Sequence, residues 1–343
     1  LDAFFVLPLL KLGEKGGEKY DILVIYNQAA IVLLLSASLD YLIGDPWDWP
    51  HPVRVMGWVI SYFTQLVIKY WHRQWKARLA GIGLGVALII GSGVVGWLIV
   101  RGASWVNQEL GITLECILLA SCFAGRSLRG AAVDVLQSLT TGQLKQARFK
   151  LSQYVGRDTE KLAQPEILRA VLETVAENAT DGVMAPLFYA IVGAFLPGVG
   201  SAPLALAYKA SSTLDSMIGY RKDPYTDLGW FSAQFEDVLT WLPCRLTVIT
   251  LGLLSGKPFE VWRLCYRDAS KDPSPNSGWS ECAYAAILGV QLGGKNWYQG
   301  VAKHKPLLGE PIHLITTGKI YQALQLTRYC FLIWLAIAII LCY

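Results

Sequence analysis

Two stretches without a single charged side chain constrain this chain most: residues 79–100 run for 22 positions and residues 183–208 for 26. About 20 apolar residues suffice for a helix to cross the hydrocarbon layer. A soluble helix of that length would carry polar residues somewhere around its circumference. Of the 343 residues, 53% are hydrophobic and only 16% charged, against roughly 25% charged in an ordinary soluble domain. The expected solvent is therefore a lipid bilayer. Further apolar stretches fall at 22–43, 53–68, 112–124, 238–254 and 329–343, several of them too short to span. The expected fold class is all-α: a polytopic integral membrane protein with several transmembrane helices and re-entrant or amphipathic segments.

The stretch 183–208 is interrupted by Pro197-Gly198-Val199-Gly200, which breaks a helix near its middle. A re-entrant hairpin at that point returns Lys209 and Asp215 to the side they left, whereas a straight span strands them on the far side. Glycines 81, 83, 85, 91, 93 and 96 lie inside one expected span, where small residues let helices approach closely. They do not follow a strand, so they are not read as a phosphate-binding loop.

The net charge of +4 arises from 30 basic and 26 acidic residues, too balanced for a nucleic-acid surface. Lys69, Arg73, Lys76 and Arg78 crowd the entrance to the first long span, and Arg129, Lys145, Arg148 and Lys150 fill the segment 126–157. By the positive-inside rule both segments are expected in the cytoplasm, which places the protein in the inner membrane with its polar loops inward. Seven cysteines without a C-x-x-C pair point to packed apolar residues rather than a disulfide framework or a zinc site. Residues 1–20 read as a leader, too briefly apolar and lacking the basic region of a secretory signal. Residues 21–343 read as a single membrane-embedded domain.

Polar constellations punctuate this apolar background. Asp40 and Asp45 end the first apolar stretch, and His51 and Arg54 open the next. Charged groups at such a boundary are functional candidates. Glu173, Glu177 and Asp181 step by four residues, which on an α-helix places all three carboxylates on one face. Like charges so arranged call for a cation, and Mg²⁺ commonly bridges a few carboxylates to substrate phosphates. Asn178 lies among them. Downstream come Lys209, Asp215, Glu236-Asp237 and Arg245, the last inside an apolar run where an unpaired guanidinium is costly. It is expected to meet a carboxylate or a bound anion, with Pro243 disturbing the helix before it. Arg267, Ser274, Asn276 and Glu281 surround a proline-rich loop followed by Gly289, Gly293 and Gly294, read as a turn between packed helices. The spacing Lys-Asp-Pro to Gly-Trp recurs at 222–230 and 271–279. No Walker, H-E-x-x-H, G-x-S-x-G or dinucleotide motif is present.

The stretches LDYLIGDPWDWPHPVRVMG, QYVGRDTEKL, ETVAENATDGVMAPLFYAIVG, TLDSMIGYRKDPYTDLGW, EDVLTWLPCRLT, RDASKDPSPNSGWSECAYAAILGVQLGG and KPLLGE together resemble the adenosylcobinamide-phosphate synthase family of cobalamin biosynthesis, the CobD/CbiB type, over roughly residues 31–311. The resemblance implies a ligase that joins the free propionate of cobyric acid, or its adenosyl form, to aminopropanol or its phosphate. Activating a carboxylate for that bond points to ATP and Mg²⁺ as co-substrate and metal. On this basis Glu173, Glu177 and Asp181 are expected to bind Mg²⁺. Asp215, Asp237 or His51 would take the proton from the amine. Asp45, Arg54, Arg157, Asp158, Asn178, Lys209, Arg245, Arg267, Ser274, Asn276 and Glu281 would contact substrates. Expected partners are these small molecules, the lipid bilayer and other cobalamin-assembly enzymes, and no nucleic acid. A corrinoid or cobalt transporter would instead show an inverted repeat with broken helices in both halves, where only one break is evident. A docking scaffold would need no one-faced carboxylates.

Overall fold

A computed structural model describes residues 16–44, 51–71 and 73–342. The expectations on residues 1–15 and on Asp45 lie outside the described residues. The chain begins with α1 (Gly16–Leu42), α2 (Pro52–Tyr70), α3 (Gln74–Val106), α4 (Gln108–Ala120), α5 (Gly125–Thr140) and α6 (Leu144–Ser152). Then come α7 (Gln164–Asn178), α8 (Ala185–Phe195), α9 (Ser201–Ile218), the single turn α10 (Tyr225–Leu228), α11 (Trp230–Leu254) and α12 (Pro258–Asp268). Last are α13 (Ser277–Leu288), strands β1 (Gln291–Tyr298) and β2 (Val301–Gly309), and α14 (Thr317–Leu341).

Four helical stretches are long and apolar enough to cross a membrane: Gln74–Val106, Gln108–Thr140, Trp230–Leu254 and Thr317–Leu341. The second is α4 and α5 taken together across the turn at 121–124. Ile90, Val95 and Leu98 of α3 and Ile337, Ile340 and Leu341 of α14 are exposed, a face suited to lipid. The protein is thus a multi-pass, predominantly helical membrane protein. All seven cysteines are free and buried, packed as small apolar residues.

α3 packs along α9, and its glycines make the contact close. Gly93 and Gly96 face Pro203, Leu206 and Ala207, while Gly81 and Gly85 face Leu228 and Phe231. Gly83 and Gly91 meet nothing within 4 Å, so four of the six expected packing glycines act as such.

The break at 197–200 forms the expected hairpin. Gly198 and Gly200 adopt φ of 78° and 92°, in the region that glycine enters without steric cost. The tip is tied down twice. Trp97 Nε1 donates to Gly198 O at 2.7 Å, and Glu115 Oε1 accepts from the backbone of Ser201 at 2.8 Å and Ala202 at 3.4 Å. Glu115 thereby satisfies two of the free N–H groups of α9 and sets a carboxylate against the positive end of its dipole.

Three features depart from the sequence reading. α7 enters α8 through a π-helical segment, Ala179–Met184, rather than as uniform α-helix. α11 continues through Pro243 instead of breaking there. Residues 291–309 form an antiparallel β-hairpin with Leu292 opposite Leu308 and Lys295 opposite His304 where helical structure was expected, while the proline-rich loop itself is the expected turn, between α12 and α13. Gly289 is the left-handed C-cap of α13 (φ 63°). Gly293 and Gly294 lie in β1 beside the register shift.

Candidate functional site

The π segment decides where the acidic residues point. An α-helix would stack Glu173, Glu177 and Asp181 four residues apart on one face, but the wider π turn rotates Asp181 toward α9 and α11. π segments of this kind are frequent at functional sites. The extra turn is supported from α13: Ser280 Oγ donates to Ala176 O at 2.6 Å and lies 2.7 Å from Thr180 Oγ1.

Asp181 consequently faces a group of carboxylates from three elements. Burial first, then the charges of Glu236, Glu177, Asp215 and Asp237, hold its carboxyl well above the usual carboxylate range. Asp215, brought back by the α8–α9 hairpin, is pushed up to about 6 by burial and by Asp237 and Glu177. Both lie outside the four spanning helices. Glu236 is buried and accepts from Thr240 Oγ1. Tyr208 Oη lies 2.9 Å from Thr240 Oγ1 and 3.4 Å from Glu236 Oε1, with its ring stacked on Tyr189.

Glu173 belongs to a different assembly. Its Oε2 accepts from Arg157 Nη2, and its Oε1 accepts from the Gly293 N–H at 2.9 Å and lies 3.7 Å from Arg169 Nη1. Arg157 and Arg169 also both donate to Asn296 Oδ1, at 3.1 and 3.0 Å. The expected three-carboxylate metal face therefore does not assemble, because Glu173 and Arg157 are engaged in pinning the β-hairpin. Among the described residues no group of three or more His, Cys, Asp or Glu side chains is arranged to hold a metal.

Arg245 was expected to find an anion. Within the protein its guanidinium lies over the rings of Trp241 and Trp279, 5.1 and 4.6 Å from their centroids, and donates to Asn276 Oδ1 at 2.8 Å. Asn276 is buried and passes its own amide to Asp237 O at 2.8 Å. Ser274 Oγ accepts from the Asn276 and Ser277 backbones, so both polar residues shape the loop beside Asp237. An open groove of about 530 Å³ lies there, lined by Arg221, Gln234, Asp237, Val238, Trp241, Pro273 and Pro275.

The other expected contact residues are placed variously. Asp158 closes the hairpin tip, accepting from Gln299 and Gly300 N–H at 2.9 and 2.8 Å. Arg267 is bound to Asp268 and Glu310, and Asn178 donates to Thr174 O one turn back. These three make local structural contacts rather than join the carboxylates. His51 caps α2, its Nδ1 accepting from Val53 N–H at 3.3 Å, and Arg54 lies in the first turn of the same helix. Lys209 is half-buried on α9. Glu281 is fully buried and accepts from Lys305 Nζ at 2.9 Å.

Tyr208, Thr240, Asn296, Arg221 and Lys305 were not singled out from sequence, and Glu236 was named there without a role. Glu236 stood beside Asp237 in the same motif, and its four-residue step to Thr240 was a usable signal. The others converge only through tertiary packing.

Residues 33–327 match the family model described as CobD/Cbib protein. The chain is 56% identical over 89% of its length to a Synechocystis cobalamin biosynthesis protein CobD, also covering 89% of that protein. It is 40% identical to the Halalkalibacterium halodurans protein CobD, over 86% of this chain and 91% of that one. To the Salmonella typhimurium protein CbiB it is 39% identical, over 84% of this chain and 89% of that one. No solved structure matches. Matched to the family model from within α1 to within α14, and to these relatives over most of its length, the chain belongs to the CobD/CbiB family of cobalamin biosynthesis proteins.

Proposed function

We propose that the protein joins aminopropanol, or its phosphate, to the free propionate carboxylate of cobyric acid or its adenosyl form, giving cobinamide or its phosphate, with ATP and Mg²⁺. The observation that carries this reading is the convergence of Glu177, Asp181, Asp215 and Asp237 from α7, the π segment, α9 and α11. An amine nucleophile and a divalent cation are the species such a cluster attracts.

The donor set suits Mg²⁺ in a particular way. Mg²⁺ usually takes one or two protein carboxylates and completes its octahedron with water and phosphate oxygens, so no preformed three-residue cage is required. Glu177 and Asp181 would supply the hard protein oxygens, two carboxylates rather than a three-residue cage. When bound, the ion would offset phosphate charge during phosphoryl transfer. In the reaction the γ-phosphoryl group passes to the carboxylate oxygen, giving an acyl phosphate and a nucleoside diphosphate. The amine nitrogen then attacks the acyl carbon. The C–N bond forms, the C–O bond to phosphate breaks, and phosphate leaves with the electron pair. Asp215 takes the released proton, a role that a carboxylate with a value near 6 suits better than an ordinary one. The groove beside Asp237, with Arg221 and Trp241 on its walls, is of small-molecule size and receives the amine or one edge of the corrin.

The site is proposed to face the cytoplasm from the inner membrane, where other cobalamin-assembly enzymes can hand on their products. The test uses protein purified in detergent, incubated with cobyric acid, aminopropanol phosphate or aminopropanol, ATP and Mg²⁺, with the corrinoid product identified by mass. Product with wild type and at least a hundredfold less with Glu177→Gln, at equal folded yield, is the expected result. Absence of any amide product from the wild type with either amine would overturn the reading.

A further inference from the structure

The β1–β2 hairpin takes no part in the chemistry above, yet it is fastened to the carboxylate helix by more than a connection needs. Arg157 and Arg169 tie Asn296 to Glu173, the Gly293 N–H binds the same glutamate, and Asp158 closes the far tip. Each tie fixes the register of β1, and the ladder passes that register to β2, where Gly294 pairs with Lys305. Lys305 then reaches back to Glu281 at 2.9 Å, with side-chain exposures of 28% and 0%.

We infer that Lys305 recognises the reacting carboxylate of the substrate, and that Glu281 is the buried counter-charge that positions it. This rests on the amide-forming reading. A carboxylate approaching Glu177, Asp181, Asp215 and Asp237 is repelled unless a fixed cation offsets their charge. Arg157 and Arg169 are engaged by Glu173, and Arg245 is held by Asn276 between two indoles. Lys305 and Glu281 stand beside the carboxylate helix: Ser280, next to Glu281, bonds to Ala176 O at 2.6 Å and lies 2.7 Å from Thr180 Oγ1, the neighbours of Glu177 and Asp181. An ammonium has three donors, and Glu281 takes one of them. The second oxygen of Glu281 is buried without a hydrogen-bond partner, so Lys305 is the partner that this carboxylate cannot lose cheaply. Burial works against the Lys305 charge, but Glu281 and Glu177 hold it well above the ordinary lysine value. It acts as a permanent cation, not as a base.

The test measures binding without ATP, by equilibrium dialysis of detergent-purified protein against cobyric acid and against the same corrinoid with that carboxylate converted to a primary amide. Wild type is expected to prefer the carboxylate by about tenfold or more, the scale of one charge-assisted hydrogen bond. Lys305→Met should lose that preference while keeping its affinity for the amide. The double variant Lys305→Met with Glu281→Gln removes the buried charge as well. It should recover thermal stability but not the preference. Equal binding of the two corrinoids by wild type, a preference that survives Lys305→Met, or one that returns in the double variant would each overturn the proposal. The last outcome would make Lys305 only a neutraliser of Glu281. Failure of wild type to form amide product with ATP and amine would count against the reaction instead, and is read independently of this binding preference.

Discussion

Asp215 is the residue at which the electrostatics of the site can be read directly. Its carboxyl titrates near 6 in the folded protein, against about 3.9 for an unperturbed aspartate. The unfolded chain therefore ionises first as pH rises, and the folded state loses stability between about pH 4 and 6 rather than gaining it. Asp215→Asn should abolish this step and stabilise the protein at pH 7 by about 1–3 kcal/mol, the equivalent of one to two pKa units. Mg²⁺ should raise the melting temperature of wild type more at pH 7.5 than at pH 5. Tryptophan-fluorescence melting in detergent across pH 4–8 checks both, and a variant no more stable than wild type at pH 7 would show that Asp215 is not charge-strained. The sequence made Asp215, Glu177 and Asp181 visible as candidates because charge stands out against an apolar background. It did not reveal that Glu173 serves the hairpin, since that depends on Arg157, Arg169 and Gly293, which meet it only in three dimensions. Arg245 is similar: a costly cation was legible, but its two indoles come from different elements.

At the level of elements, the break at 197–200 and the glycine-rich span were legible because backbone rules act locally. Proline and glycine end helices wherever they fall, and small residues in a span announce a close neighbour. Which glycine touches the neighbour was not legible, since that depends on the rotation of α3 against α9. The difference is testable. Gly96 faces Leu206 and Pro203, whereas Gly91 meets nothing within 4 Å. Gly96→Leu should lower folded yield and melting temperature, through an overpacking cost of about 1–3 kcal/mol. Gly91→Leu should stay within about 0.5 kcal/mol of wild type. Equal effects of the two substitutions would mean that α3 is rotated from the packing described. The β-hairpin escaped the sequence reading for a related reason. Its first strand, QLGGKNWY, carries two glycines and no β-branched residue, and such strands have weak intrinsic preference. What holds it is the Glu173 network and the Asp158 cap, contributed by other segments.

For the whole molecule, the course of the helices predicts on which side of the membrane the chemistry lies. α3 leaves the end where Lys69, Arg73, Lys76 and Arg78 cluster, turns at Asn107, and α4 runs back to the segment that begins with Arg126. There Arg126 Nη1 donates to Tyr41 O and Leu42 O at the C-terminus of α1, at 2.9 and 2.8 Å, closing the same end of the bundle. α9 runs antiparallel to α3, with Pro203 beside Gly96, so Asp215 also returns to that end. Gly229, packed on Ile218 O, starts α11 there as well. Basic residues flanking spans favour the cytoplasmic side, so the carboxylate cluster should be cytoplasmic. The native cysteines, all buried, leave a low background for labelling single introduced cysteines in intact cells. Gln143→Cys, in the turn after α5, and Lys271→Cys, after α12, should be protected from a membrane-impermeant maleimide until the cells are opened. Gln108→Cys, at the α3–α4 turn, should react from outside. Rapid labelling of positions 143 and 271 in intact cells, with position 108 protected, would invert the protein in the membrane. Such an inversion would separate the site from ATP, so this single measurement bears on orientation and on the proposed chemistry together.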